Sequence, residues 1–481
     1  MGRNSSATTT VRTSHVATAR VVDEPSIVPV VVLLGGLTAG LLAQGGFYAA
    51  GRTPVFLAVA VSFVVALVAV RPSGADLRVV AATAAVMLAS WALLRGLATE
   101  DPGSGVGVAT LLAAFAAVLL IVRRQGLAAR DLLLTGLLGA AVIVATLGWV
   151  GVVWHRTPWA LPNDGVWRAT STLTYANATA AILVPTFLIS LGLLIDRPRD
   201  ARRSAVTAML LIGAVATLSR AGMLALVAGL IVVCALSGAR RTVSAGLAPA
   251  TGAGIAVGGM LMAMPLASAP HQLVPVVALP AGLIVAAALA RWSPSRHRLL
   301  LVSTALAVGV LLLARTGAVH RAMGQVALMR AHASSPARVD ATEAAVRIVT
   351  ERPVAGVGPG DGWVRWSSDD GATQTMQYVH NEYLQVLVEL GFVGLTLLLT
   401  VLVGCGLLVR RAMCRDRARP LPAAIAAASA AVAVHGGFDF VWHVPVVPLV
   451  FAALLGLLTE PAPQILAGPT GSATPRRGDL S

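Results

Sequence analysis

Lysine is absent from this chain. All 36 basic residues are arginine, set against 21 acidic ones, and charged residues make up 12% of 481 positions. Soluble domains carry about 25%, so a large soluble enzyme is excluded. A net charge of +15 is a nucleic-acid signature when it gathers on a soluble domain. Here the arginines are spread over short loops between apolar runs, which is a topology signal and implies no nucleic-acid partner. Cysteine is nearly absent too: Cys234 and Cys405 lie inside apolar runs and Cys414 in an arginine-rich loop. No spacing fits a disulfide framework or a metal site, so neither a metal nor a cofactor is expected.

What remains is apolar: 57% of the residues are hydrophobic, with a mean hydropathy of +0.80. A spanning helix needs about 20 apolar residues. Fourteen runs qualify as candidates: 27–49, 54–70, 79–95, 105–122, 132–152, 177–195, 204–219, 221–237, 244–266, 272–290, 299–314, 391–409, 420–436 and 441–459. Several are short, so the expected count is 12–14. The first 25 residues are polar, and the run after them is long enough to span, so it reads as a retained first helix rather than a signal peptide. Alternate loops are rich in arginine, among them Arg123, Arg124 and Arg130, then Arg197 to Arg203, then Arg410 to Arg419. The intervening short loops hold only Arg52, Arg95, Arg156, Arg168 and Arg220. By the positive-inside rule both termini are cytoplasmic and the protein is a multi-pass plasma-membrane protein. The organisation expected is a cytoplasmic tail (1–26), helices 1–11 (27–314), an extracytoplasmic loop (315–390), helices 12–14 (391–459) and a disordered cytoplasmic tail (460–481).

The 315–390 segment is the one long break in the apolar pattern. Ser335-Pro336 marks a helix start, Asp340 and Glu343 suit its positive end, and Arg352-Pro353 ends it. Val339, Val346 and Val349 fall on a roughly common face, so 336–351 reads as an amphipathic helix. Gly356, Gly358, Pro359 and Gly360 follow as a turn-rich loop that matches no phosphate-binding fingerprint. Trp363 and Trp366 are expected at headgroup level. A second short helix starts near His380 and runs into the next span. His380 itself, beside Glu382, is a titratable group at a membrane boundary, where polar groups are costly unless used.

These residues resemble a known family. His380-Asn381-Glu382-Tyr383-Leu384, followed by Glu389-Leu390-Gly391-Phe392-Val393-Gly394, is similar to the signature of the O-antigen ligase and polymerase superfamily of membrane glycosyltransferases. Thr174-Tyr175-Ala176-Asn177, Thr217-Leu218-Ser219-Arg220-Ala221-Gly222, Arg338 with Pro353 to Gly360, and Asp439 near Pro445 resemble its other stretches in order. One departure is Thr342, where the family often has tryptophan. The resemblance spans roughly residues 165–460. It implies an all-α, polytopic transmembrane helical bundle with a long extracytoplasmic loop carrying short helices, GT-C-like in kind.

The resemblance also implies an activity. A glycan on a polyprenyl-pyrophosphate carrier is transferred to an acceptor hydroxyl at the outer face, with membrane lipids as surroundings and without a metal or nucleotide sugar. His380 is the implied general base. Arg220 and Arg338 are the implied pyrophosphate-binding residues, with Arg168 and Asn177 beside them. Glu382 and Glu389 are placed either to orient His380 or to start and pack a helix. Asp439 is placed either to hydrogen-bond in the site or to cap a helix. Backside attack would invert the anomeric carbon. A polysaccharide polymerase of the same superfamily is the alternative, differing in acceptor. A lipid-linked glycan flippase or transporter is the second alternative. Transporters carry ionisable residues near the membrane midplane, and these runs carry essentially none. The motifs of the shape, elongation, division and sporulation family of peptidoglycan polymerases are not seen.

Overall fold

A computed structural model describes residues 27–69, 77–99, 101–270, 272–292, 324, 336–367, 372–415 and 420–458. The expected tails at 1–26 and 460–481, the span at 299–314 and residues 315–323 and 325–335 of the expected loop lie outside the described residues. The protein is an all-α polytopic bundle, and nine of the described helices are long and apolar enough to cross a membrane.

In chain order the helices are α1 (Val28–Leu42), α2 (Ala49–Ala69), α3 (Leu77–Leu97), α4 (Pro102–Arg123), α5 (Leu127–Trp154), α6 (Ala176–Asp196) and α7 (Ala201–Ala216). They continue as α8 (Arg220–Ser237), α9 (Ala239–Met260), α10 (Leu273–Trp292), α11 (Pro336–Glu351), α12 (Glu382–Arg415), α13 (Pro420–Gly436) and α14 (Val446–Gly456). Each described apolar run of the sequence has its helix. The last run differs: Val441–His443 form a separate 3-10 turn, and α14 begins only at Val446. His443 and Asp439 are held at the bundle end by polar partners, so that stretch does not join the span.

α6 is the central helix. It is buried along nearly its whole length and packs on α5, α7, α8, α9 and α13. With no charged stripe to turn outward, its largely apolar sequence suits a position surrounded by other helices. A β-hairpin pairs Ala160–Asn163 with Val166–Ala169 between α5 and α6. A second pairs Val364–Ser367 with Thr373–Met376 between α11 and α12. Periodicity gave neither, because strands of four residues are too short to show alternation.

α11 spans the residues the capping signals predict, and alanines supply the centre of its buried face. Ala341, Ala344 and Ala345 are the residues inside, against Val364, Trp366, Val379 and Val388. Val339 and Val346 are exposed. Alanine at this spacing lets a helix approach closely, and a hydropathy pattern weighted toward valine overlooks it. Trp366 is likewise buried in this small core, while Trp363 is 47% exposed.

The glycine-rich loop has a packing role. α12 is broken at Gly391, which has a φ of 66°, and the 353–358 segment crosses it there. Phe392 N–H donates to the Pro353 carbonyl (2.8 Å), and Gly358 N–H to the Glu389 carbonyl (2.9 Å). A Cβ on Gly356 would collide with the Glu389 backbone, and one on Gly391 with the Val354 carbonyl. From α3, Arg95 donates to the Ala355 and Gly356 carbonyls (2.9 and 3.2 Å) and Trp91 to that of Leu390 (3.0 Å). Glycine is needed because two backbones meet without room for a side chain.

Candidate active site

The residues singled out from the sequence gather at one end of the bundle, where five connections converge. These are the β-hairpin before α6, the entry to α6, the α7–α8 junction, the start of α12 and the segment between α13 and α14. Non-glycine residues with positive φ recur at these entries: Thr174 before α6, Leu218 before α8 and His380 before α12, at 57°, 49° and 50°. Such conformations are uncommon, and here each precedes a site residue or is one.

Asp439 is the hub. Its side chain has no exposed surface, yet it is ringed by donors. Tyr175 Oη donates to both carboxylate oxygens (2.7 and 2.8 Å), Phe440 N–H donates to Oδ1 (2.8 Å), and Asn177 Nδ2 donates to Oδ2. His380 Nδ1 lies 3.0 Å from Oδ1, and an Arg338 guanidinium nitrogen lies 4.0 Å from Oδ2. Burial pushes the Asp439 carboxyl up, but the bonds from His380 and Tyr175 and the charge of Arg338 outweigh it, so it is held below the usual carboxylate range. Tyr175 is pushed well above the usual phenol range by burial and by the adjacent carboxylate, which keeps it a donor.

The arginines converge beside this hub. Arg168, on the second strand of the first hairpin, donates to the Thr217 carbonyl (3.0 Å), Asn163 Oδ1 (3.2 Å) and Asn177 Oδ1 (3.4 Å). Burial lowers its pKa, and the charges of Arg220 and Arg338 act in the same direction against those of Tyr175 and Asp164. Arg220 and Arg338 therefore both lie within electrostatic reach of Arg168. Arg220 opens α8, where Ser219 caps the helix by accepting from Gly222 N–H (3.0 Å). The positive helix end adds to the same field.

Glu382 sits elsewhere. It meets His443 Nδ1 at 3.0 Å and also accepts from Trp442 N–H. Glu389 accepts from Gln385 Nε2 (2.7 Å), and Gln385 Oε1 accepts from Val379 N–H (2.8 Å). The alternative of Glu382 or Glu389 orienting His380 through a direct bond therefore does not match the geometry. Asp439 makes that contact, and the two glutamates pack and anchor the start of α12. Burial lowers the His443 pKa, but Glu382 by charge and hydrogen bond, joined by Glu389, raises it overall to about 9.

The sequence reading missed the aromatic wall. Phe440 stacks on Tyr175 and on Tyr378 (ring centroids 5.2 and 4.7 Å) and meets the His380 ring edge-on (5.0 Å). Tyr378 also meets His443 at 4.5 Å. A signal was available: the chain has four tyrosines, and Tyr175, Tyr378 and Tyr383 all belong to this end.

Among the described residues no group of three or more His, Cys, Asp or Glu is arranged to hold a metal ion. Residues 271–399 match the family model of O-antigen ligase. That segment carries Arg338, the glycine strap and His380, while Arg168, Asn177, Arg220 and Asp439 come to the same site from outside it. No curated protein matches the chain.

Proposed function

We propose, for this chain of the O-antigen ligase and polymerase superfamily, that it transfers a glycan from a polyprenyl-pyrophosphate carrier to an acceptor hydroxyl. The observation that carries the proposal is the His380–Asp439 pair set beside Arg168, Arg220 and Arg338. His380 Nε2 takes the acceptor proton while Nδ1–H donates to Asp439, which fixes the tautomer and stabilises the imidazolium that forms. The acceptor oxygen bonds to the anomeric carbon as the bond from that carbon to the pyrophosphate oxygen breaks. The leaving pyrophosphate keeps the electron pair, and the guanidinium groups balance its growing charge. Attack opposite the leaving group inverts the carbon. The roles need no metal. Ligase and polymerase share these steps and differ in acceptor.

The test is reconstitution in lipid with polyprenyl-pyrophosphate glycans and candidate acceptors, with products read by mass spectrometry. His380→Ala is expected to lower transfer by about 10²–10⁴-fold with normal expression and insertion. Full activity in that variant rejects the base. For Arg220→Ala and Arg338→Ala the expected defect is in donor use, and unchanged donor KM and turnover in both removes the arginine role.

A further inference from the structure

Further along α11 from Arg338 lies a concave feature that the transfer chemistry does not use. It is a groove of about 430 Å³ between the C-terminal half of α11 and the first strand of the second hairpin. Arg347, Ile348 and Glu351 line it from the helix, and Asp361, Trp363 and Arg365 from the loop and strand. Arg347 is nine residues beyond Arg338, or about 14 Å along the helix axis. The volume falls in the range of small-molecule sites, about 300–1,000 Å³.

Its lining has three properties that together select a ligand. Trp363 is 47% exposed, although the neighbouring Trp366 is buried in the small core. Two guanidinium and two carboxylate groups share the groove, so its formal charge is balanced. Among the described residues, no ion pair joins these four charged groups to one another or to any other residue. All four are exposed, so their donors and acceptors are open to a ligand. Glu351 and Asp361 oppose a phosphate or a nucleic acid. Four charged groups oppose an acyl chain, which offers them no hydrogen bond. A saccharide fits all three properties. Its C–H face covers an indole, its hydroxyls donate to carboxylates, and its oxygens accept from guanidinium groups.

We propose that this groove is a second glycan subsite, which holds sugar units of a substrate chain away from the reacting hydroxyl and so sets a preference for longer glycans. The inference rests on the glycosyl-transfer reading. It is tested on the full-length protein in lipid nanodiscs by saturation-transfer NMR. The probe is a set of oligosaccharides of two to six units, released by mild acid from the lipid-linked glycans of the producing cells. The wild type is expected to show ring-proton signals, with affinity about tenfold weaker in Trp363→Ala and weaker again in Arg347→Ala with Asp361→Asn. His380→Ala is expected to bind as the wild type does.

In the transfer assay, Trp363→Ala is expected to keep the rate on the shortest glycans and to raise KM for longer ones. A raised donor KM assigns the held chain to the donor, and a raised acceptor KM to the acceptor. Absent wild-type signals, or signals and KM unchanged in Trp363→Ala, overturn the subsite. So does quenching of Trp363 emission by brominated lipid, taken as the difference between wild type and Trp363→Phe, which places the indole in the membrane. The two readings fail separately. Saccharide binding without any transfer rejects the enzyme and keeps the groove, and transfer without binding does the reverse.

Discussion

At the scale of single residues, a carboxylate with no exposed surface stays ionised only when neighbours replace the water it has lost. Asp439 has that replacement in Tyr175, Asn177, the Phe440 amide, His380 and Arg338. Asp439→Asn keeps the shape but removes the charge, so His380 loses the acceptor that fixes its tautomer and Arg338 loses its counter-ion. Turnover is expected to fall by about 10²–10⁴-fold, measured by steady-state transfer; a fall of less than tenfold rejects the pairing as part of catalysis. The pH dependence follows from the depressed pKa. A carboxyl held below its ordinary value of 3.8 contributes stability that is full above that value and lost as pH falls through the lower folded one. The Tm difference between wild type and Asp439→Asn should therefore persist from neutral pH down to about 3.8 and close only below it.

Secondary-structure elements meet around α12, where two devices hold the site. Glu382 in its first turn pairs with His443 in the 3-10 turn before α14, tying together the two segments that carry His380 and Asp439. His443 is raised from 6.5 to about 9. Stability from a raised histidine is complete below the ordinary value and lost as pH rises through the folded one. Wild-type Tm should thus decline between about 6.5 and 9. Glu382→Gln should start lower and flatten that decline, as followed by thermal unfolding in nanodiscs. An equal slope in both proteins would show that the pair is not the titrating unit. The second device is the strap over Gly391. Gly356→Ala sets a Cβ against the Glu389 backbone at a φ of 66° and should cost more than about 1 kcal/mol, seen as a lower Tm. An unchanged Tm would mean that the strap shifts freely. The sequence showed the glycines but not their use, because a close approach of two backbones leaves no trace in spacing. It also offered Glu382 and Asp439 as open alternatives, since a partner 60 residues away in the chain is set by packing alone.

For the whole molecule, the sequence is legible where burial dominates. Long apolar runs map onto helices because a helix satisfies its backbone within one continuous segment, as a span in lipid requires. The assembly of Arg168, Asn177, Arg220, Arg338, His380 and Asp439 at one end was foreshadowed by their shared place at the ends of runs, not by any periodicity. The arginine counts predict that this end meets the outer face of the membrane. A native probe exists for it. Cys414 is exposed in the last turn of α12, whose first turn adjoins His380. The part of that helix beyond the Gly391 break, Phe392 to Arg415, reaches about 36 Å, longer than the roughly 30 Å hydrocarbon core, so Cys414 is expected on the face opposite the site. In a variant with Cys234 and Cys405 replaced by alanine, a membrane-impermeant maleimide should label inside-out vesicles and leave intact cells unlabelled. Labelling of intact cells would invert the orientation and place His380 on the cytoplasmic face. A lipid-linked donor would then have to be used before it crosses the bilayer, and the proposed reaction would lose its outer-face acceptor.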